Sequence, residues 1–194
     1  MARIVRLEVE RKLKALKIWP FVPHGGNPAF DSLVYLGQIT LHDRYFDFRD
    51  TLSDHGFWVR KRNGSWQMKI CRGGDRRRTQ SEEVTDIEKF SEVVQSLTGK
   101  HAPAADDFGL EPLAAFTTTR RHWTAEQKFN IVVDRTDFGH EVGEVELERD
   151  ILANRENQIT RTMQEMDSQV AEFLDRYQWA FDETAPIGKL TELS

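Results

Sequence analysis

In the stretch Leu7-Glu8-Val9-Glu10-Arg11-Lys12, two carboxylates and an ammonium fall at every second position. An extended strand places alternate side chains on one face, so Glu8, Glu10 and Lys12 point the same way. Such a row makes no sense against an apolar core, where unpaired charge is expensive. It suits a polar cavity that holds a cation and an anion at once, with the acids facing a hard metal ion and the lysine facing the anion. The same two-residue spacing recurs further along. Trp58-x-Arg60-x-Arg62, followed by Lys69, supplies bases, and Glu144-x-Glu146-x-Glu148 supplies acids. On any single strand, charges at alternate positions are usually a solvated face. Here acids gather on the strands of Glu8 and Glu144 and bases on the ones between, so the solvated-face reading would have to hold on each of them separately.

The elements that must position these residues follow from periodicity and punctuation. Residues 3–14 alternate Ile4, Arg6, Glu8, Glu10 and Lys12 against Val5, Leu7, Val9, Arg11 and Leu13, and the Val and Leu parity is the packed side. Pro20, Pro23, Gly25, Gly26 and Pro28 make residues 19–32 a loop, and Gly25-Gly26 without a following Gly-Lys-Ser/Thr is no P-loop. Residues 33–48 are β-prone and end in Asp43-Arg44-Tyr45-Phe46-Asp47. Residues 57–62 and 65–71, joined by Asn63-Gly64, form the strongest hairpin signal in the chain. Residues 72–78 read as an exposed turn and 79–85 as a strand. Thr85 as N-cap with Glu88 predicts a helix carrying Ile87, Phe90, Val94 and Leu97 and ending at Gly99. Residues 101–107 read as a linker, and 113–123, 128–135 and 142–149 as strands. Ile159, Met163, Met166, Val170, Phe173, Leu174 and Tyr177 mark an amphipathic helix over 156–181. About eight strands with two main helices make an α+β pattern dominated by antiparallel pairing. Closing that sheet so that its charged faces line one interior gives a barrel with polar walls, flanked by the helices.

Composition bounds the rest. A chain of 194 residues with 39% hydrophobic and 30% charged residues fits one globular domain, residues 1–194. No stretch approaches the ~18 apolar residues that would span a bilayer, and residues 1–6 have no apolar leader segment, so a soluble, cytoplasmic protein with no membrane partner is expected. Cys71 is the single cysteine, which rules out an intrachain disulfide and a cysteine metal site. The six histidines lack ligand spacing. A formal net charge of −5, with no aromatic residue interleaved in the Arg72 to Arg78 run, argues against a nucleic-acid partner. Asp137-Phe138-Gly139, without a Gly-rich loop or a His-Arg-Asp segment, is a turn. A closed sheet with no open edge leads to the expectation of a monomer.

Glu8-Val9-Glu10-Arg11-Lys12 resembles the ExExK signature of the CYTH family, the triphosphate tunnel metalloenzymes. Three further features are similar to that family's thiamine-triphosphate-hydrolysing branch. They are Trp58-Val-Arg60-Lys-Arg62 with Trp66-Gln-Met-Lys69, Asp137-Phe-Gly-His-Glu-Val-Gly-Glu144-Val-Glu146, and Glu183-Thr-Ala-Pro186-Ile-Gly-Lys189-Leu. They occur in family order, from the N-terminus to about Leu190. The resemblance implies an eight-stranded antiparallel tunnel with flanking helices. It implies that Glu8, Glu10, Glu144 and Glu146 hold a divalent metal, magnesium, with manganese as the alternative. It assigns Lys12, Arg60, Arg62, Lys69, Arg120 and Lys189 to grip and turn over a small-molecule triphosphate, with Trp58 against its organic part. Glu83 matches a family acid, Glu148 continues the acidic run, and Asp134 lies two positions from a further family carboxylate, where Val132 stands. The implied activity is metal-dependent hydrolysis of the terminal phosphoanhydride of thiamine triphosphate. Inorganic triphosphatase, nucleoside or RNA 5′-triphosphatase and a class IV type of adenylyl cyclase share the scaffold, and a non-catalytic polyphosphate-binding module is a further alternative.

Overall fold

The strands that carry the alternating charges are two-faced, and the architecture keeps their apolar faces dry and turns their charged faces to one interior. The computed structural model describes residues 3–13, 26–75, 77–153, 155–181 and 189. Eight strands run in the order β1 (Arg3–Leu13), β2 (Leu33–Asp47), β3 (Phe57–Arg62), β4 (Ser65–Gly74), β5 (Arg78–Val84), β6 (Glu111–Ala125), β7 (Phe129–Thr136) and β8 (Glu141–Ala153). Among the described residues they are accompanied by the helices α1 (Thr51–Asp54), α2 (Ile87–Thr98) and α3 (Glu156–Arg176). β1 pairs with both β5 and β8, which closes the ring β1-β5-β4-β3-β2-β6-β7-β8, and all pairings are antiparallel.

The packed parity faces outward. Val5, Leu7, Val9 and Leu13 of β1 join Ile131, Val133, Val145 and Leu147 beneath α3, where Ile159, Met163, Met166, Val170 and Phe173 cover them. Arg11, on the same face, is tied to Asp167 of α3 at 2.6 Å. A second apolar cluster sets Val59, Trp66, Met68 and Val84 of β3, β4 and β5 against Phe90 and Val94 of α2, with Phe108 between them. Residues i and i+2 share a face, so burying these outer sets forces Glu8, Glu10, Arg60, Lys69, Glu144 and Glu146 inward.

The β3–β4 hairpin turns at Asn63 (φ 48°) and Gly64 (φ 86°), the left-handed pair that its sequence predicts. Several expectations need correction. Asp86, not Thr85, caps α2, accepting from the backbone N–H groups of Glu88 and Lys89, because β5 and its exit occupy the chain up to Thr85. Residues 72–74 are not turn but strand. A bulge between Cys71 and Gly73 lets β4 continue its pairing to Gly74, whose φ of 103° and closeness to the Arg78 carbonyl admit only glycine. Residues 104–109, within and beyond the expected linker, form a kinked pair of tight turns, with Asp107 (φ 50°) and Phe108 (φ 55°) in the left-handed region, that buries Phe108. α3 stops at Arg176, while Ala180 and Phe181 beyond it are buried around the Phe30 and Tyr177 rings without being helical. The ring does leave an open edge among the described residues. β2 pairs with β3 only through Asp43 to Phe46, so its first half bonds to β6 on one side alone. No helix among the described residues is long and apolar enough to cross a membrane.

Candidate active site

The inward faces enclose a cavity of about 720 Å³. Its wall contains Glu8, Glu10, Lys12, Trp58, Arg60, Arg62, Lys69, Glu83, Arg120, Glu144, Glu146, Glu148 and Lys189, so the ring brings together the residues that the sequence singles out on six of its strands. Asp134 is fully buried just behind the wall, and it receives both Arg120 and Lys189. Lys189 is described by itself. The Pro186 spacing that led to it lies outside the described residues.

On the acidic side, β1 and β8 are in direct register, Glu10 opposite Glu146 and Glu8 opposite Glu148. Carboxylate oxygens of Glu10, Glu144 and Glu146 lie within 4.8 Å of one another, and all three residues are buried. Three oxygen donors at this spacing fit a hard divalent cation, and such crowding is costly without one. The cost is visible in the acids themselves. Burial, with Glu144 and Glu10 nearby, pushes Glu146 up to about 7 despite Arg120. Burial also raises Glu8, reinforced by Glu10 and Glu146 and opposed by Lys69. For Glu10, burial is outweighed by Lys69 and Lys12, which hold its carboxyl well below the usual range. Glu8 stands outside the three-acid group, bound to Lys69 at 2.5 Å.

The cations are shared among these acids. Lys12 donates to Glu10 and lies 4.0 Å from Glu144. Lys69 bridges Glu8, Glu10 at 3.5 Å and Glu83 at 3.9 Å. Arg120 donates Nε and Nη2 to Asp134 at 2.8 and 2.7 Å, with Glu144 at 3.4 Å and Glu146 at 3.8 Å. Lys189 donates to Asp134 and reaches Glu144 at 3.9 Å. Arg62 makes a two-pronged pair with Asp43. Arg60 differs from all of these. Among the described residues it has only neutral acceptors, Gln67 Oε1 at 2.9 Å and the Tyr45 hydroxyl at 3.4 Å. Its charge is therefore not held by a directly paired carboxylate, although Asp43 and Glu83 act on it from nearby, and its guanidinium is available to an anion in the cavity.

Trp58 lies at the rim, 37% exposed, on the same β3 face as Arg60 and Arg62, and its side chain hydrogen-bonds that of Cys71. It does not pack under a loop as ordinary core. Sequence reasoning passed over Asp43, Tyr45, Gln67, Thr79 and Ser81. Tyr45, Gln67, Thr79 and Ser81 line the cavity and Asp43 holds a lining arginine. The available signal was parity, since Gln67 is two positions from Lys69 and Ser81 two from Glu83.

The wall thus sets several cationic side chains around a group of three buried acids that could hold a metal ion. The human protein named thiamine-triphosphatase is 28% identical over 165 residues, covering 72% of this chain and 67% of that protein. In fold, the chain resembles a structure described as a putative adenylate cyclase from Vibrio parahaemolyticus, with TM-score 0.53, 14% identity, and 97% and 98% of the two chains covered. It also resembles one from Hippeastrum described as a putative adenylyl cyclase with a dominant triphosphatase activity, with TM-score 0.50, 14% identity, and 95% and 92% covered. The CYTH domain profile matches residues 29–173, which takes in all of β2 to β8, and the chain therefore belongs to the CYTH family.

Proposed function

We propose that this protein hydrolyses the terminal phosphoanhydride of a small-molecule triphosphate, thiamine triphosphate by preference, as a single domain acting in the cytoplasm. The observation that carries the reading is the wall itself. Arg60, Arg62, Arg120, Lys12, Lys69 and Lys189 face one 720 Å³ space together with the Glu10, Glu144, Glu146 group. Phosphoryl transfer needs neutralisation of the transferred group and an in-line water, and little covalent help. The arginines offer forked donors to phosphate oxygens and the lysines point charges. Glu10, Glu144 and Glu146, with Glu8 beside them, would hold magnesium, or manganese in its place. When bound, the ion neutralises charge on the phosphate oxygens. The acidic wall also supplies acceptors for the attacking water. Trp58, at the rim beside the basic strand, favours thiamine over a bare polyphosphate, because an aromatic face attracts a cationic ring.

The human relative's name supports thiamine triphosphate, and the triphosphatase described for the Hippeastrum protein supports the broader class. The test is an initial-rate panel of thiamine triphosphate, tripolyphosphate, ATP and triphosphate-ended RNA with magnesium. Orthophosphate release, fastest from thiamine triphosphate and abolished by chelation, is the expected result. ATP consumed without orthophosphate would make it a cyclase. Binding without turnover of any member would make it a polyphosphate-binding module.

A further inference from the structure

β2 is a long strand, and in its segment Asp43-Arg44-Tyr45-Phe46-Asp47 the alternate residues Asp43 and Tyr45 bond to β3 while Asp47 bonds to the turn that leads into it. Asp43 and Arg62 are Cα partners across β2 and β3, as are Tyr45 and Arg60. The Asp43 carboxylate, 1% exposed, accepts Nε of Arg62 at 2.7 Å and Nη2 at 2.6 Å. That occupies one whole edge of the guanidinium, and Nη1 is left without a partner among the described residues on a side chain that lines the cavity. The Tyr45 hydroxyl accepts from Arg60 Nη1. Asp47 accepts the backbone N–H groups of Phe48, Leu52 and Ser53, which fixes the turn through α1 that delivers the chain into β3.

We propose that Asp43 is a positioning residue for triphosphate binding, which aims Arg62 into the cavity through a two-pronged pair. This rests on the triphosphate reading. Asp43 is negative and stands beside the anion site, so if charge alone mattered, neutralising it would tighten anion binding. If its geometry matters, neutralising it weakens binding. In Asp43→Asn one oxygen becomes an N–H donor facing another donor, and the guanidinium is released from its plane.

The experiment measures Kd for tripolyphosphate by calorimetry, together with separate KM and kcat values, for Asp43→Asn in the wild-type and Arg62→Lys backgrounds. Lysine cannot make the two-pronged pair, so it removes what Asp43 acts upon. The expected result is about tenfold weaker tripolyphosphate binding and a matching rise in KM in the wild-type background, with no further loss in Arg62→Lys. Binding equal to or tighter than wild type overturns the proposal, as does a loss of the same size in the Arg62→Lys background, which would mean that Asp43 acts on the fold instead. Should Asp43→Asn not fold, Asp43→Glu keeps the charge and displaces the carboxylate by one methylene. It weakens binding if geometry matters and leaves it unchanged if charge does. Absence of tripolyphosphate binding by the wild-type protein would instead overturn the triphosphate reading, and the positioning role with it.

Discussion

Glu82 and Glu83 are neighbours on β5 and face opposite sides of the ring. Glu82 is buried on the outer side, where Arg3 at 2.6 Å, Arg72 at 2.5 Å and Lys89 at 2.5 Å close on its carboxylate. Burial works against its charge, but hydrogen bonds from Arg3, Lys89 and Arg72 hold its carboxyl down at about 2. Glu83 lines the cavity, where its cation, Lys69, is shared with Glu8 and Glu10. On the outside one acid has three bases and the cluster is complete by itself. On the inside Lys12, Lys69, Arg120 and Lys189 each serve several acids, and Glu8 and Glu146 are driven toward their neutral forms. The same residue type, one position apart, thus belongs to a closed cluster that holds β1, β4, β5 and α2 together and to an open one that gains from added charge.

Paired substitutions can break this comparison. Glu10→Gln keeps the shape of the inner cluster and removes a charge that attracts the cation, so turnover should fall on the order of 10² or more while the melting temperature holds. Near-normal turnover at saturating magnesium would place the cation elsewhere. Glu82→Gln should do the opposite. It leaves three bases around a neutral amide and should lower stability on the order of 3 kcal/mol, read by denaturant unfolding, with kcat nearly unchanged in the folded fraction. The sign with pH follows. Glu82 lies near 2 when folded and has an ordinary value of 4.5. Its contribution is therefore complete above pH 4.5 and lost as pH falls toward 2. Acid unfolding of Glu82→Gln should show a correspondingly flatter slope between those limits than the wild type.

What the sequence made legible is what alternation alone can carry. Glu8, Glu10 and Lys12, the Trp58 to Arg62 triplet and the Glu144 to Glu148 run stand out because like or complementary charges repeat at two-residue spacing. Burying the interleaved Val and Leu residues then decides which way they point. The strands and two main helices were readable for the same reason. The partners were not. That Asp43 meets Arg62, that Gln67 meets Arg60, and that Asp134 takes Arg120 and Lys189 depends on cross-strand register and on residues 7 to 55 positions apart. Asp134 shows the limit well. Its type marked it as a carboxylate of interest, but only the fold shows that it anchors bases behind the wall and stands outside the three-acid group. The open edge of β2 was hidden likewise, because ring closure can be inferred from strand number whereas the length over which β2 and β3 pair cannot.

The sharing of cations inside the cavity has a thermodynamic consequence. Lys12, Lys69, Arg120 and Lys189 engage the carboxylates that would hold magnesium, so a triphosphate must draw them away and magnesium must displace them. Each ligand then prepares the site for the other, and the coupling is reciprocal. Calorimetry should show tripolyphosphate binding roughly 5- to 150-fold tighter with magnesium than after chelation, and magnesium binding tighter by the same factor with tripolyphosphate, after correction for complexes formed in solution. Equal affinities in both conditions would mean that these ion pairs persist in the loaded site.

The smallest expected effect concerns the rim, where the comparison shifts from charge to shape. Trp58 is partly exposed beside Cys71 and two residues from Arg60, and it forms part of the cavity wall instead of either apolar cluster. Its indole face can stack on the cationic thiazolium or the pyrimidine of thiamine, a contact worth about 0.5 to 2 kcal/mol. Tripolyphosphate has no ring and cannot use it. Trp58→Ala should therefore raise KM for thiamine triphosphate about three- to thirtyfold and leave tripolyphosphate hydrolysis nearly unchanged. Equal losses with both substrates would assign Trp58 to holding β3 and β4 in place beside Lys69, its Cα partner, and would remove the residue-level case for thiamine while leaving the triphosphate chemistry of the wall intact.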